Sequence, residues 1–201
     1  PHAIWISRAE PAGRAALIDA LANVVAIDDA ARPSSRSLCL FTPIGRDTTS
    51  CAVAEKIEPE RAFSVDTLFG LGGRRTVMST PVSDTDFRDQ VHAALTAGGH
   101  AVTTIHDSPG FVNQRVVALV INIACDIAQQ RIATPDDIDK AVRLGLGYPQ
   151  GPLAMGDTLG ASTVLRILDE LMAFYGDPRY RPSPWLKRRA MLGLSLLTPE
   201  N

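Results

Sequence analysis

Little in this chain of 201 residues points to a specialised role. It has only three cysteines, Cys39, Cys51 and Cys125, and no two of them form a CxxC pair. Scattered thiols of this kind, with Cys39 and Cys125 inside apolar runs, read as buried structural residues of a reducing cytoplasm rather than as disulfides or ligands. The histidines, His2, His92, His100 and His106, show no HxxxH or related spacing, so no metal site is expected. A net charge of −2 leaves no electrostatic footprint for nucleic acid or an anionic membrane surface. No apolar run reaches the roughly 18 residues of a membrane span, and no signal-peptide pattern opens the chain. What is present is ordinary for a globular protein, with 45% hydrophobic and 21% charged residues. The length suffices for one large domain or two small ones.

Residues 1 to 106 alternate short apolar runs with helical periodicity. Ala3–Ser7, Val24–Ile27, Ser37–Phe41, Phe63–Leu68, Thr76–Ser79 and Ala101–Ile105 read as strands. Pro11–Ala22, Thr48–Lys56 and Asp84–Ala97 read as helices, the last closed by Gly98-Gly99. Continuous apolar runs between helices indicate a mostly parallel, covered sheet, so the fold class of this part is a Rossmann-like α/β domain.

The first strand, helix and second strand, ending at Asp28-Asp29, have the outline of half a dinucleotide-binding unit. The turn between them, Ser7-Arg8-Ala9-Glu10-Pro11-Ala12-Gly13, offers one glycine where three are needed. Glu10 would also set negative charge beside a phosphate. The expectation is a degenerate scaffold that holds no NAD.

Residues 107 to 201 read as helix throughout. Ser108 is placed as an N-cap with Pro109 at the first helical position, opening a long helix over Phe111–Ile132. Phe111, Val112, Val116, Leu119, Val120, Ile123 and Ile127 are its apolar positions, and Asn122, Asp126 and Gln129 line a polar face. So wide an apolar surface argues for burial on more than one side, including a subunit contact. Thr134-Pro135-Asp136-Asp137 caps a second helix that ends at Gly145–Gly147. Gly147–Pro152 reads as a rigid turn, Ala161–Tyr175 as a third helix, and Trp185–Leu192 as a last one. Leu194, Leu196 and Leu197 of the tail are expected to dock.

Four runs in this second part carry a resemblance. They are Asp107-Ser108-Pro109-Gly110-Phe111, then Asp136-Asp137-Ile138-Asp139, then Leu144-Gly145-Leu146-Gly147-Tyr148-Pro149 with Gly151-Pro152-Leu153, and finally Tyr175-Gly176-Asp177-Pro178-Arg179-Tyr180-Arg181-Pro182. In this order and spacing they resemble the C-terminal domain of the 3-hydroxyacyl-CoA dehydrogenases. The resemblance implies an all-helical domain over 107–201 that forms a subunit interface and one wall of an active-site cleft. It also implies membership of an enzyme that moves hydride reversibly between the C3 hydroxyl of an acyl-CoA and NAD, in fatty-acid or aromatic-acid degradation.

The first part resembles the same family with its chemistry removed. Counting from Pro59-Glu60-Arg61-Ala62-Phe63 puts Asp66 at the family's catalytic histidine and Phe69 at an asparagine. The glutamate partner of that histidine falls at Met78, and Gln114 stands at the active-site asparagine, beside Asn113. Hydride transfer needs a base near neutral pKa held by an orienting carboxylate. An aspartate with an ordinary pKa near ~4 and no partner is a poor substitute.

Together with Thr42-Pro43-Ile44-Gly45 and Asp66–Gly70, this resembles the diverged second copy found in duplicated bacterial members. The chain starts at Pro1 rather than methionine, and we expect a C-terminal half whose catalytic partner lies upstream. This half would be structural, homodimeric, cytoplasmic and inactive by itself, with NAD and acyl-CoA bound by the full enzyme. Two alternatives are a purely structural dimerisation module and an acyl-CoA enzyme of altered chemistry. The latter would use Asp66 as base, with Asn113 or Gln114 polarising a thioester carbonyl.

Overall fold

The computed structural model describes residues 3–200; Pro1, His2 and Asn201, and with them the expectations that rest on the chain's start, lie outside it. The chain divides into two compact units, one ending at Phe111 and the other beginning at Val112.

In the first unit, β1 (Ile4–Ile6), β2 (Ile27–Asp28), β3 (Leu38–Phe41), β4 (Ala62–Val65), β5 (Arg75–Ser79) and β6 (Val102–His106) form one sheet in the order β2-β1-β3-β4-β5-β6. All neighbouring pairs are parallel except β4 and β5. The central strands β1, β3 and β4 are buried along their whole length, as expected for strands covered on both faces. Period-two alternation sorts their side chains. Ile4, Ile6, Leu38, Leu40, Phe63 and Val65 point to a core with Leu17 and Leu21 of α1 (Pro11–Leu21) and Val91 and Leu95 of α3 (Thr85–Thr96). Trp5, Cys39, Phe41 and Ala62 face the other way, against Cys51 and Ala52 of α2 (Thr48–Glu55).

β2 is shorter than expected. Val24 and Val25 donate backbone N–H bonds to the Leu21 carbonyl and belong to the turn that ends α1, so the strand starts only at Ile27.

The second unit holds α4 (Asn113–Gln129), α5 (Pro135–Leu146), α6 (Pro152–Leu159), α7 (Ala161–Tyr175) and α8 (Pro184–Leu192). Three expectations are corrected here. Ser108 and Pro109 do not start α4. Gly110 and Phe111 both take positive φ, 72° and 49°, so the Ser108–Phe111 stretch is a turn and the helix begins at Asn113. The Gly147–Pro152 turn is followed at once by α6, whose first residue is Pro152 and whose inner Gly156 disguises it as a loop in the sequence.

The faces of α4 are also reassigned. Asn122 is buried with Gln114, Ala118, Ile121 and Cys125, whereas Val112, Val116 and Ile123 are 48%, 51% and 59% exposed. Small alanines on the inner side admit close neighbours, and the larger valines and isoleucine are left outside.

Candidate functional site

Three of the four resemblance motifs lie in the helical unit and take part in its joints. The Asp139 carboxylate, on α5, accepts from the backbone N–H groups of Leu153 (2.8 Å) and Ala154 (2.9 Å), and so caps α6 from a distance in sequence. A Cβ on Gly151 would lie 2.2 Å from Asp139 Cγ, which is why this position has none. On α4, the Asn122 amide donates to the Arg181 carbonyl (2.9 Å) and accepts from the Ser183 N–H (2.7 Å), fixing the irregular link before α8. Asp126 pairs with Arg181 at 3.2 Å on the same link. Asp157 accepts from the Leu196 N–H at 2.7 Å and holds the tail, so that Leu196 is fully buried while Leu194 stays 43% exposed. Sequence reading missed Asp139, Asn122 and Asp157 as joints. Their signal was a polar residue on an otherwise apolar helix face next to a glycine or proline turn.

Asp107, first residue of the Asp107–Phe111 motif, works within the α/β unit. Its two oxygens accept from the N–H groups of Thr48 (2.8 Å) and Thr49 (3.0 Å) at the start of α2, and from the Thr49 hydroxyl. Asp47 caps the same helix through the Ser50 N–H. Two carboxylates already occupy this positive helix end, which leaves no room there for a ligand anion.

The residues expected at the family's catalytic positions sit apart in role. Asp66 follows β4 and is 7% exposed; its N–H donates to the Thr76 carbonyl at 3.1 Å, and its carboxylate accepts from the Leu68 N–H at 3.2 Å. Met78 is fully buried on β5, paired with Ser64 rather than with Asp66, and its sulfur accepts from the Ser108 N–H at 2.9 Å. A thioether carries no charge to orient or ionise a base. Asn113 and Gln114 open α4 in the other unit, the first exposed and the second fully buried. Adjacent residues diverge by about 100° around a helix, so the two do not face one site together. Phe69 is half exposed in the glycine-rich loop between β4 and β5.

The nucleotide turn can be tested residue by residue. If Gly13 is the last glycine of a G-x-G-x-x-G turn, Arg8 and Glu10 fill the other two glycine positions. Gly13 itself serves helix packing: a Cβ there would meet Thr42 Oγ1 at 2.4 Å and Thr67 Oγ1 at 2.7 Å. The Thr42 hydroxyl beneath it is buried without a hydrogen-bond partner among the described residues. Asp28, at the ribose position, is already engaged. It accepts from the Ser37 hydroxyl (2.6 Å) and the N–H groups of Ser34 (3.0 Å) and Ala30 (3.1 Å). The residues present therefore do not fit a dinucleotide.

The Ser37 hydroxyl, then the Ser34 and Ala30 N–H groups, hold the Asp28 carboxyl below the usual carboxylate range. A carboxyl lowered by folding contributes stability that is fully present above its unfolded pKa and is lost as pH falls through the folded one. Urea midpoints of the protein should therefore fall steeply below about pH 4. In Asp28→Asn the midpoint near neutral pH should drop and its acid slope flatten; a variant with unchanged acid slope would assign that loss to other groups.

Two basic runs, Arg74-Arg75 and Lys187-Arg188-Arg189, are each split between interior and surface. Arg75 is buried and donates to the Leu71 (3.0 Å) and Leu95 (2.8 Å) carbonyls, with burial lowering its pKa, and Arg189 is buried over the Trp185 ring. Arg74, Lys187 and Arg188 stay at the surface. The thiols of Cys39, Cys51 and Cys125 are free and buried, and burial pushes each up to about 12. Among the described residues no helix is long and apolar enough to cross a membrane.

A family match falls almost wholly on the helical unit. Residues 110–195 match the family model described as 3-hydroxyacyl-CoA dehydrogenase, C-terminal domain. Over 94 residues the chain is 48% identical to the 3-hydroxyadipyl-CoA dehydrogenase of Escherichia coli K12, covering 47% of this chain and 20% of that protein. A probable 3-hydroxybutyryl-CoA dehydrogenase of Bacillus subtilis is 38% identical over 95 residues, or 33% of its length. The chain thus spans a fifth to a third of these relatives. Among solved structures, 3-hydroxybutyryl-CoA dehydrogenase from E. coli K12 superposes with a TM-score of 0.67 at 34% identity, covering 76% of this chain and 31% of that one. M. tuberculosis FadB2 superposes over 94% of this chain and 65% of its own, with a TM-score of 0.74 at 22% identity, a likeness of fold.

Proposed function

We propose that this chain, whose helical unit matches the C-terminal domain of the 3-hydroxyacyl-CoA dehydrogenases, is the accessory half of such an enzyme. In this reading NAD and the acyl-CoA are bound by a catalytic half outside the chain, and this half supplies a helical wall and a subunit contact. The observation that carries it is a contrast. Every joint of the helical unit, from Asp139 with Gly151 to Asn122 with Ser183, is intact, while base, orienter and cofactor turn are replaced by Asp66, Met78 and the Arg8–Glu10 stretch.

The chemistry explains why the contrast matters. Oxidising a 3-hydroxyl requires a group that takes its proton as the hydride leaves, with a pKa near the working pH. A free aspartate ionises far below neutrality, and a thioether at Met78 brings no charge to orient or ionise a base. Isothermal titration of the chain with NADH should give no saturable heat in the micromolar range; micromolar binding would sink the reading. Turnover of a 3-hydroxyacyl-CoA by the chain alone, lost in Asp66→Asn, would instead favour an enzyme of altered chemistry.

The subunit contact rests on the outer side of α4. Val112, Val116 and Ile123 recur there at helical spacing and are half exposed. We assign this stripe to a homodimer, the arrangement the resemblance implies. By sedimentation, Ile123→Glu should turn a dimer into a monomer; a chain that is monomeric before the change contradicts the assignment. Three buried free thiols suit the cytoplasm in which we place the protein.

A further inference from the structure

One feature of the α/β unit plays no part in the dehydrogenase reading. At the C-terminal ends of the parallel pair β5 and β6, a cleft of about 380 Å³ opens between the strands and the first half of α3. Ligands of open parallel sheets are bound outside such strand ends.

The cleft is built by register. Ser79 pairs with His106 across β5 and β6, and Thr104 lies two residues before His106, so these side chains share one face. That is also the face on which Val77 and Val102 pack with Val91 of α3. Beyond the apolar part, α3 contributes Arg88 and Asp89 and, one turn further along the helix, His92. Ile105 is the only apolar residue lining the cleft.

The charges have room for an anion. Arg88 and Asp89 approach only to 4.0 Å, and both side chains are largely exposed, so this pair is weak. Asp107, next to His106, is committed to the start of α2 and does not neutralise the cleft. From α3 the cleft therefore receives Arg88, Asp89 and His92, from β6 His106, and from β5 only the Ser79 hydroxyl. With both imidazoles neutral these groups sum to no net charge; with both protonated they sum to two positive charges. A metal ion is the poorer occupant, because no group of three His, Cys, Asp or Glu among the described residues could hold one.

The geometry points to a binding site for a phosphate dianion, free or as a small phosphomonoester. Arg88 and the two imidazoles would neutralise it, and the Thr104 hydroxyl would donate to its oxygens, joined by the Ser79 hydroxyl once it leaves its long 3.5 Å bond to the Ile105 carbonyl. Binding should be strongest where the imidazoles are protonated and the phosphate is still a dianion. This inference is independent of whether the chain is part of a dehydrogenase.

NMR titration of the histidine ring protons tests it on the whole chain, in chloride and in inorganic phosphate at equal ionic strength. The His92 and His106 midpoints should rise by about one pH unit in phosphate. His100, which does not line the cleft, should not move. Arg88→Gln, an exposed position, should abolish the rise without unfolding the chain. Identical midpoints in the two salts, a rise shared by His100, or a rise that survives Arg88→Gln would each overturn the site. Glycerol 2-phosphate as a second probe separates the sources. A response at least equal to that of inorganic phosphate assigns the cleft to phosphomonoesters, and a response to inorganic phosphate alone assigns it to the free ion.

Discussion

Gly151→Ala is expected to destabilise the helical unit by about 3–5 kcal/mol, the scale of a buried clash combined with a lost charge-assisted cap. Gly151 has φ −68° and ψ 152°, a conformation open to any residue, so backbone strain plays no part. The cost comes from a new methyl 2.2 Å from Asp139 Cγ, which must push the carboxylate off the Leu153 and Ala154 N–H groups. Asp139→Ala alone should cost about 2–3 kcal/mol, through two unsatisfied donors at a buried helix start. The telling measurement is the double variant by urea unfolding. With Asp139 reduced to glycine both clashing carbons, Cγ at 2.2 Å and Cβ at 2.3 Å, are gone, so adding Gly151→Ala should cost under about 1 kcal/mol, a strong departure from additivity. Additive costs would mean that the glycine is needed for some reason other than Asp139.

Asn122→Leu should cost about 2–4 kcal/mol, although it replaces a polar residue by an apolar one on a helix rich in apolar residues. The side chain is 4% exposed, and its amide is the partner of both the Arg181 carbonyl and the Ser183 N–H. Leucine fills the volume but leaves two backbone groups without partners away from water. Asn122→Asp should be intermediate, since it keeps the acceptor for Ser183 and loses the donor for Arg181. Fluorescence of buried Trp185, just after this link, in a Trp5→Phe background reports whether the link loosens. A leucine variant as stable as the parent would show that water replaces the amide.

These two residues also mark where sequence reading succeeded and where it stopped. Strands β1, β3 and β4 were readable because burial on both faces leaves continuous apolar runs. α5 was readable because Thr134 and Pro135 announce it, and the Thr134 side chain does accept from the Asp137 N–H. α6 was hidden because Gly156 is a poor helix former, kept there because Leu196 Cδ1 would lie 2.4 Å from any Cβ. That contact depends on a residue far along the chain. The inner face of α4 was misread for a related reason. With apolar residues on most of its circumference, periodicity alone does not choose a side, and the choice is made by which face meets the Arg181–Ser183 backbone. No local propensity announces the left-handed Phe111, because a phenylalanine there is unfavourable until its ring is buried. The β5–β6 cleft was not readable either, because His92 and His106 meet only through the register of the sheet.

Gly13 separates two requirements that a dinucleotide-binding turn normally imposes together. One is set by the sheet, which needs a helix to lie close over Thr42 and Thr67; the other is set by a phosphate, which needs bare backbone to approach. Only the first is met here. The scaffold's shape and its capacity for a dinucleotide are therefore uncoupled. Arg8, Ala9 and Glu10 are positions that drift could rewrite at little structural loss, whereas Gly13 is pinned by its neighbours and would outlast any ligand.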